Sequence, residues 1–412
     1  MLSFSGRIAF SDEGLTYKEL VNTALEKASG IQGAGRLIAA SGATFFEQAI
    51  NILAILASGN VAVPVTTHYG EKYFKKVHSI IESDNKSYED LAFIMFTSGT
   101  TGTPKGVMLT HSNIVSNLKG IQSYFPVRET DRILISRPLV HIAVLTGELL
   151  YGLWQGAEIS FFGQPFNAGR LASTIGESGA TVFCSTPTMF MHLARYADEK
   201  AFSKLRLCVT SGERLTEQAA DEIKKTFPFC DFFNVYGLTE NSPRVSFLSP
   251  EFYATKPGSA GVPLPDTELK IVNGELLVRS PSVMKGYYMQ PELTEEKLRG
   301  GWLHTGDAAR QDNDGFYCIL GRKDDMIIRA GMNVYPQEIE AELVGMPGIT
   351  ACRAYGEEDG RFGQRICLQY SGDAGVKDVR MRLVKSLPPY LMPQKIEKAD
   401  KLDMTLSGKI KR

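Results

Sequence analysis

The chain has 412 residues, 43% hydrophobic and 22% charged, with 45 Lys and Arg against 46 Asp and Glu for a formal net charge of −1. That length exceeds a single compact core and favours two or more domains, and the composition is ordinary for a globular protein. A near-zero net charge argues against a broad nucleic-acid footprint while leaving room for a local basic patch that accepts an acidic carrier.

No apolar run approaches the length of a membrane span. The opening MLSFSGRIAF lacks the basic start and long apolar stretch of a signal peptide. Cys184, Cys208, Cys230, Cys318, Cys352 and Cys367 are scattered with no C-x-x-C pair, a pattern of reduced structural thiols rather than a zinc site. A cytoplasmic location is expected.

Taken in chain order, Thr16-Tyr17-Lys18-Glu19 has capping-box spacing, and Leu20, Val21, Ala24, Leu25 and Ala28 continue on a helical period. Residues 36–40 read as a strand, 44–58 as a helix that stops near Gly59, and 61–65 as a second strand. This alternation predicts parallel crossover units rather than hairpins. The apolar run 91–95 is short enough to be a buried strand.

It leads into FTSGTTGTPKGV, residues 96–107, the most informative stretch of the chain. Gly99, Gly102 and Gly106 let a backbone approach phosphate oxygens and permit positive φ. Thr97, Ser98, Thr100, Thr101 and Thr103 add hydroxyl donors, and Lys105 adds a point charge. Such a loop is suited to a triphosphate. The Walker loop needs Gly-Lys followed by Ser or Thr; here Pro104 precedes the lysine and Gly106 follows it, so this is a different phosphate loop.

Strand and helix patterns alternate again between 131 and 218, with strands expected at 133–135, 158–162, 181–184 and 205–209. Ligands of such sheets gather at the strands' carboxyl ends. Ser211-Gly212-Glu213 follows one strand directly, and Tyr236 to Glu240 follows the apolar run 232–235. A Gly and four charged residues at 321–325 interrupt the apolar pattern and mark a domain boundary. A helix opening at 335–340, strands at 351–355 and 366–370, and a helix at 376–386 complete a small second lobe.

These segments resemble the adenylate-forming superfamily of acyl- and aryl-CoA synthetases, nonribosomal peptide synthetase adenylation domains and luciferases. The phosphate loop is followed in order by PLVH (138–141), SGERL (211–215), NVYGLTE (234–240), GWLHTGD (301–307), GRKDDMIIRAGMNVYPQEIE (321–340) and SGKIKR (407–412). The resemblance implies an α/β fold. A large multi-lobed N-terminal domain of mostly parallel βα sheets, residues 1–322, would hold ATP and acid pockets. A small mobile α+β C-terminal domain, residues 323–412, would rotate about Asp324.

It implies ATP and AMP contacts from Thr97, Ser98, Gly99, Thr100, Thr101, Gly102, Ser211, Gly212, Glu213, Asn234, Tyr236, Gly237, Thr239, Asp307 and Arg322. Glu240 would help hold Mg²⁺, and Lys105, Thr239, Glu240, His141 and Lys409 would serve catalysis, Lys409 reaching in from the mobile lobe. The acid pocket would include His141, Ile142, Ala143, Ser185 and Ser242. Ile142 takes the place of an aspartate that pairs with the ammonium group in amino-acid-activating relatives, which disfavours an α-amino acid.

The implied reaction joins a small carboxylic acid to AMP with release of pyrophosphate and passes the acyl group to a thiol. The compact chain looks most like stand-alone aryl-acid ligases of siderophore assembly, the petrobactin 3,4-dihydroxybenzoate type in particular. Their acceptor is the phosphopantetheine of an aryl carrier protein. CoA is the rival acceptor, an amino-acid-activating ligase the rival enzyme, and a non-catalytic nucleotide or acyl-adenylate binder the rival of another class.

Overall fold

Threonine hydroxyls set where five of the described helices begin. The Thr16 hydroxyl accepts from the Glu19 amide while the Glu19 carboxylate accepts from the Thr16 amide, and helix Tyr17–Ser29 follows with Tyr17, Leu20, Ala24 and Ala28 on its buried face. Thr44 caps helix Phe45–Ala57, Thr110 caps His111–Gln122, Thr186 caps Pro187–Ala194 and Thr216 caps Glu217–Thr226. Each such cap supplies an acceptor for an amide that has no helical partner, worth about 1 kcal/mol.

A computed structural model describes residues 2–67, 70–97, 104–163, 167–196 and 201–403. Four sheets organise these residues. In the nine-stranded sheet, strands Asp231–Gly237, Leu207–Thr210, Val182–Ser185, Arg132–Ile135, Glu158–Phe161 and Ile8–Phe10 run parallel, in that order. Antiparallel strands flank them: Arg244–Leu248 and then Val262–Pro263 on one side, Leu15–Thr16 on the other.

A five-stranded sheet carries Leu37–Ala40, Val61–Pro64 and Leu91–Thr97 in parallel, followed by antiparallel Lys105–Thr110 and Gly286–Tyr287. A four-stranded antiparallel sheet comprises Glu268–Val272, Glu275–Arg279, Leu303–Gln311 and Tyr317–Arg322. The last sheet is built around the long hairpin of Ala351–Asp359 and Gly363–Ser371. Ile327, Val334, Ile366, Leu368, Val379 and Leu383 form a core of its own. This mixed α/β architecture has the expected class, and no helix among the described residues is long and apolar enough to cross a membrane.

Two hairpins depart from the expected crossover units. Ile8–Phe10 returns as Leu15–Thr16 through a turn that Gly14 closes at φ +64°, a conformation that favours glycine. Leu91–Thr97 returns as Lys105–Thr110 with Thr97 opposite Lys105. The second hairpin brackets the phosphate-loop motif, so Lys105 opens a paired strand. The chain stays in the four-stranded sheet through Gly321 and Arg322, because Arg322 pairs with Asp307.

The amino ends of the central parallel strands are tied by a single carboxylate. Asp131 is 2% exposed and accepts from the Arg128 amide at 2.7 Å, the Thr181 hydroxyl at 2.7 Å and Arg206 Nε at 2.7 Å. Burial works to raise its pKa, but Arg206, the Arg128 amide and Thr181 outweigh it and hold the carboxyl below its ordinary value. A depressed carboxylate contributes stability that is present above its unfolded pKa and lost as pH falls through the folded one. Asp131→Asn is therefore expected to lower the unfolding free energy at pH 7 by roughly 1–3 kcal/mol. The gap to the parent should narrow below about pH 4, as urea titrations across that range would measure.

Candidate functional site

Parallel register sets Ser185, Thr210 and Asn234 side by side at the carboxyl ends of three adjacent strands. The Thr210 hydroxyl donates to Asn234 Oδ1 at 2.9 Å, and Asn234 Nδ2 donates to the Ser259 carbonyl at 2.7 Å. Both ends of the Asn234 amide are thus engaged within the protein, so this side chain braces the edge. One residue further, the Ser211 amide donates to the Ser185 carbonyl at 3.0 Å. The hydroxyls of Ser185 and Ser211 are buried there without a hydrogen-bond partner. Gly212 turns the chain at φ +83°, and Glu213 Oε2 accepts from the Thr188 amide at 3.2 Å.

A carboxylate clasp lies beyond this edge. Tyr236 ends the strand Asp231–Gly237 and donates its hydroxyl to Asp307 Oδ2 at 2.5 Å. Arg322 Nη1 donates to Asp307 Oδ1 at 3.1 Å and to the Thr305 carbonyl at 2.9 Å. Gly306 makes room for that guanidinium: a Cβ there would stand 2.9 Å from Arg322 Nη2. Burial and then the Asp307 charge push the Tyr236 phenol well above its usual range, so it stays a donor at neutral pH. The arrangement is a preset hydrogen-bonding carboxylate with one cation and one phenol as neighbours, able to accept from a vicinal diol.

Glu240 lies in the short turn Thr239–Asn241, and its Oε1 accepts from the Tyr287 hydroxyl at 2.7 Å. Tyr287 faces Val107 on the strand that Lys105 opens. The hydroxyl of Thr97 donates to the Lys105 carbonyl at 3.4 Å, and Gly237 and Thr239 lie on the path from Tyr236 to Glu240. Residues Ser98, Gly99, Thr100, Thr101, Gly102 and Lys409 lie outside the described residues. Asp324 is exposed between strands Tyr317–Arg322 and Ile327–Arg329.

Among the residues expected to line the acid pocket, His141 precedes the helical stretch Ile142–Val144, where Ile142 is 5% exposed within the main core and Ala143 is half-buried. Ser242 is fully buried and its hydroxyl donates to the Ser282 carbonyl at 2.8 Å, so that group is spoken for. The structure adds residues that the motifs do not mark. Glu148 is fully buried and paired with Arg137 at 2.7 Å, and Arg244, 3% exposed, packs its guanidinium against Gly147. A lone Glu inside the apolar stretch 142–153, and an Arg opening an apolar strand four residues after NVYGLTE ends, are the signals that would have found them. Tyr287 carried no such signal.

Comparison with known proteins identifies the family. Residues 75–288 match the AMP-binding enzyme family and residues 338–409 match the AMP-binding enzyme C-terminal domain. A feruloyl-CoA synthase of an Amycolatopsis species is 34% identical over 343 residues, which are 78% of this chain and 68% of that protein. A long-chain-fatty-acid–CoA ligase of Escherichia coli O157:H7 is 34% identical over 344 residues, 79% of this chain and 61% of that one. The solved o-succinylbenzoate coenzyme A synthetase (MenE) of Bacillus subtilis, in complex with ATP and magnesium ion, is similar with a TM-score of 0.84 at 26% identity. That likeness covers 98% of this chain and 96% of the other. The chain spans less of the fatty-acid ligase than of the other two. With family matches on either side of the Asp307 clasp, the chain belongs to the AMP-binding, adenylate-forming enzymes.

Proposed function

We propose that the chain activates a hydroxylated aromatic acid as its acyl-adenylate and transfers the acyl group to a pantetheinyl thiol. The observation that carries this reading is the Asp307 clasp with Tyr236 and Arg322, beyond the strand edge where the Ser185 and Ser211 hydroxyls stand unpartnered. In this reading Asp307 accepts from the ribose hydroxyls of ATP, and the turn Ser211–Gly212–Glu213 with Tyr236 and Gly237 borders the adenine and α-phosphate.

A carboxylate oxygen of the substrate attacks the α-phosphorus in line as the bond to pyrophosphate breaks. The acid is already ionised at neutral pH, so no general base is needed. The protein's task is to place the reactants and to neutralise their mutual repulsion, with Lys105, Lys409 and the loop amides 98–103 as donors. Glu240, its orientation held by Tyr287, suits a hard cation that takes its remaining ligands from phosphate oxygens. Mg²⁺ bound there would offset phosphate charge. Thiol transfer then follows rotation of the lobe 323–412 about Asp324.

Ile142 supports a neutral or aromatic acid over an α-amino acid, since an ammonium group beside this buried side chain would have no partner. The finer reading is 3,4-dihydroxybenzoate carried to an aryl carrier protein of siderophore assembly. It rests on the overall likeness of the chain to such ligases, and small polar pocket candidates such as Ser185 suit a hydroxylated ring better than a long alkyl tail. A second reading, free CoA as acceptor, is favoured by the relatives, which are named as CoA synthases and ligases.

Carboxylate-dependent exchange of labelled pyrophosphate into ATP tests the first step. Lys409→Ala is expected to slow exchange roughly hundredfold or more while sparing thiolysis of supplied acyl-AMP; equal loss of both steps would contradict the rotating lobe. Offering CoA and a pantetheinylated carrier to the preformed adenylate separates the two acceptors.

A second prediction addresses the clasp. Asp307→Asn keeps the shape but removes the charge that strengthens hydrogen bonds to the ribose, and ATP affinity should fall roughly tenfold to a hundredfold. Calorimetric titration with ATP checks it, and unchanged affinity would remove Asp307 from the nucleotide site.

A further inference from the structure

We infer that Arg244 and Glu148, the latter held by Arg137, read a hydroxyl group on the acid substrate at the end remote from its reacting carboxylate. This deepens the proposed adenylation and rests on it. Three charged side chains converge where the chain turns from His141 into the helix that follows. Arg137 Nη2 donates to Glu148 Oε1 at 2.7 Å. Arg244 opens the strand Arg244–Leu248 opposite Gly237, at the ligand-bearing edge of the sheet. Its guanidinium would clash with any side chain at position 147, where a Cβ would lie 2.7 Å from Nη2. Glycine at 147 therefore admits the arginine to the cluster.

The pairing of these groups within the protein is incomplete. Glu148 Oε2, Arg137 Nε and Arg244 Nε are buried with no hydrogen-bond partner, and so is the hydroxyl of Thr146, two residues before Glu148. Among the described residues, Arg244 has no carboxylate within salt-bridge distance, and its guanidinium meets the Tyr124 phenol while Nε stays unpaired. Native proteins leave few buried polar atoms unpaired, since each costs the desolvation of the group. A concentration of them at one place marks a surface built for a ligand.

Widened π-type turns occur often at functional sites, and Thr146, Gly147 and Glu148 lie in one, the segment Leu145–Leu150. The chemistry of the ligand group follows from the orphaned atoms. Glu148 Oε2 is an acceptor and Arg244 Nε a donor. A hydroxyl satisfies both, whereas a carboxylate can only accept and an ammonium can only donate.

The test compares kcat/KM in pyrophosphate exchange for matched acids. The panel is benzoate against 3-hydroxy-, 4-hydroxy- and 3,4-dihydroxybenzoate, cinnamate against 4-hydroxycinnamate, with terephthalate and 4-aminobenzoate as anionic and amino counterparts. The wild-type chain should prefer the best hydroxylated acid over its unsubstituted partner by about tenfold or more. Gly147→Ala displaces the guanidinium without altering any charge, and should bring that ratio toward one while exchange with benzoate persists. Glu148→Gln should do the same, and because the wild-type panel stands alone, a variant that fails to fold does not decide the matter.

Equal use of hydroxylated and unsubstituted acids would overturn the inference and leave adenylation standing. A preference for terephthalate would also overturn it, by making Arg244 the site of a second carboxylate. Absence of exchange with every acid would overturn the adenylation reading and this inference together.

Discussion

Register among the parallel strands is the constraint on which the rest of this structure depends. Val182, Leu207 and Asp231 are level at one end, Ser185, Thr210 and Asn234 at the other. Between these ends the strands are apolar, and Phe183, Cys208 and Phe232 are fully buried. A polar side chain in that interior would need a partner that the packed layers do not offer. Hydroxyl, amide and carboxylate groups are therefore gathered at the strand ends. A slip of one residue would turn each strand's apolar set to the opposite face and break that level edge. Asp131 works against such a slip from the other end, tying the chain segments that lead into three of the strands through Arg128, Thr181 and Arg206.

The two groups of charges at the site differ in what burial requires of them. Arg322 is 46% exposed on its side chain, so its contact with Asp307 is formed at modest desolvation and can be rearranged around a ligand. Arg137, Glu148 and Arg244 are far more enclosed, at 16% and 0% for the pair and 3% for Arg244. Burial raises the Glu148 carboxyl above its usual range while Arg137 and Arg244 oppose the shift. A buried ion pair is often no more stabilising than well-packed apolar residues of the same volume. Stability alone does not account for charges here, whereas the inferred recognition of a polar group would.

Much of the fold could be read from sequence because its signals are local. Capping threonines precede five of the described helices, Gly59 stops one of them, and β-branched or aromatic runs mark the parallel strands, so the helices after Thr16 and Thr44 and the strands near 133, 159, 183 and 208 stand close to where they are expected. The hairpin at residues 8–16 was hidden because its strands are only two or three residues long. Site residues inside contiguous motifs, such as Tyr236 and Asp307, were legible together with their neighbours. Their mutual contact was not, since 71 residues separate them. Arg244 and Glu148 escaped for the same reason. Each reads alone as one charged residue in an apolar segment, and only tertiary packing brings Gly147 against Arg244.

The path of the chain through the clasp runs directly into the proposed hinge. Arg322 pairs across the hairpin with Asp307, and the Lys323 amide still donates to the Gly306 carbonyl at 2.9 Å. Lys323 Nζ reaches Glu275, whose Oε1 accepts from the Gly306 amide at 2.9 Å. The proposed hinge at Asp324 is the next residue, so no slack separates the group that holds Asp307 from the point of rotation. Turning about Asp324 would change the direction in which the chain leaves Lys323 and load the Gly306 contacts before any others. In the proposed reading, a ligand that stabilises the Asp307 geometry would favour one exit direction of the chain over others, and so would couple site and lobe through three consecutive residues.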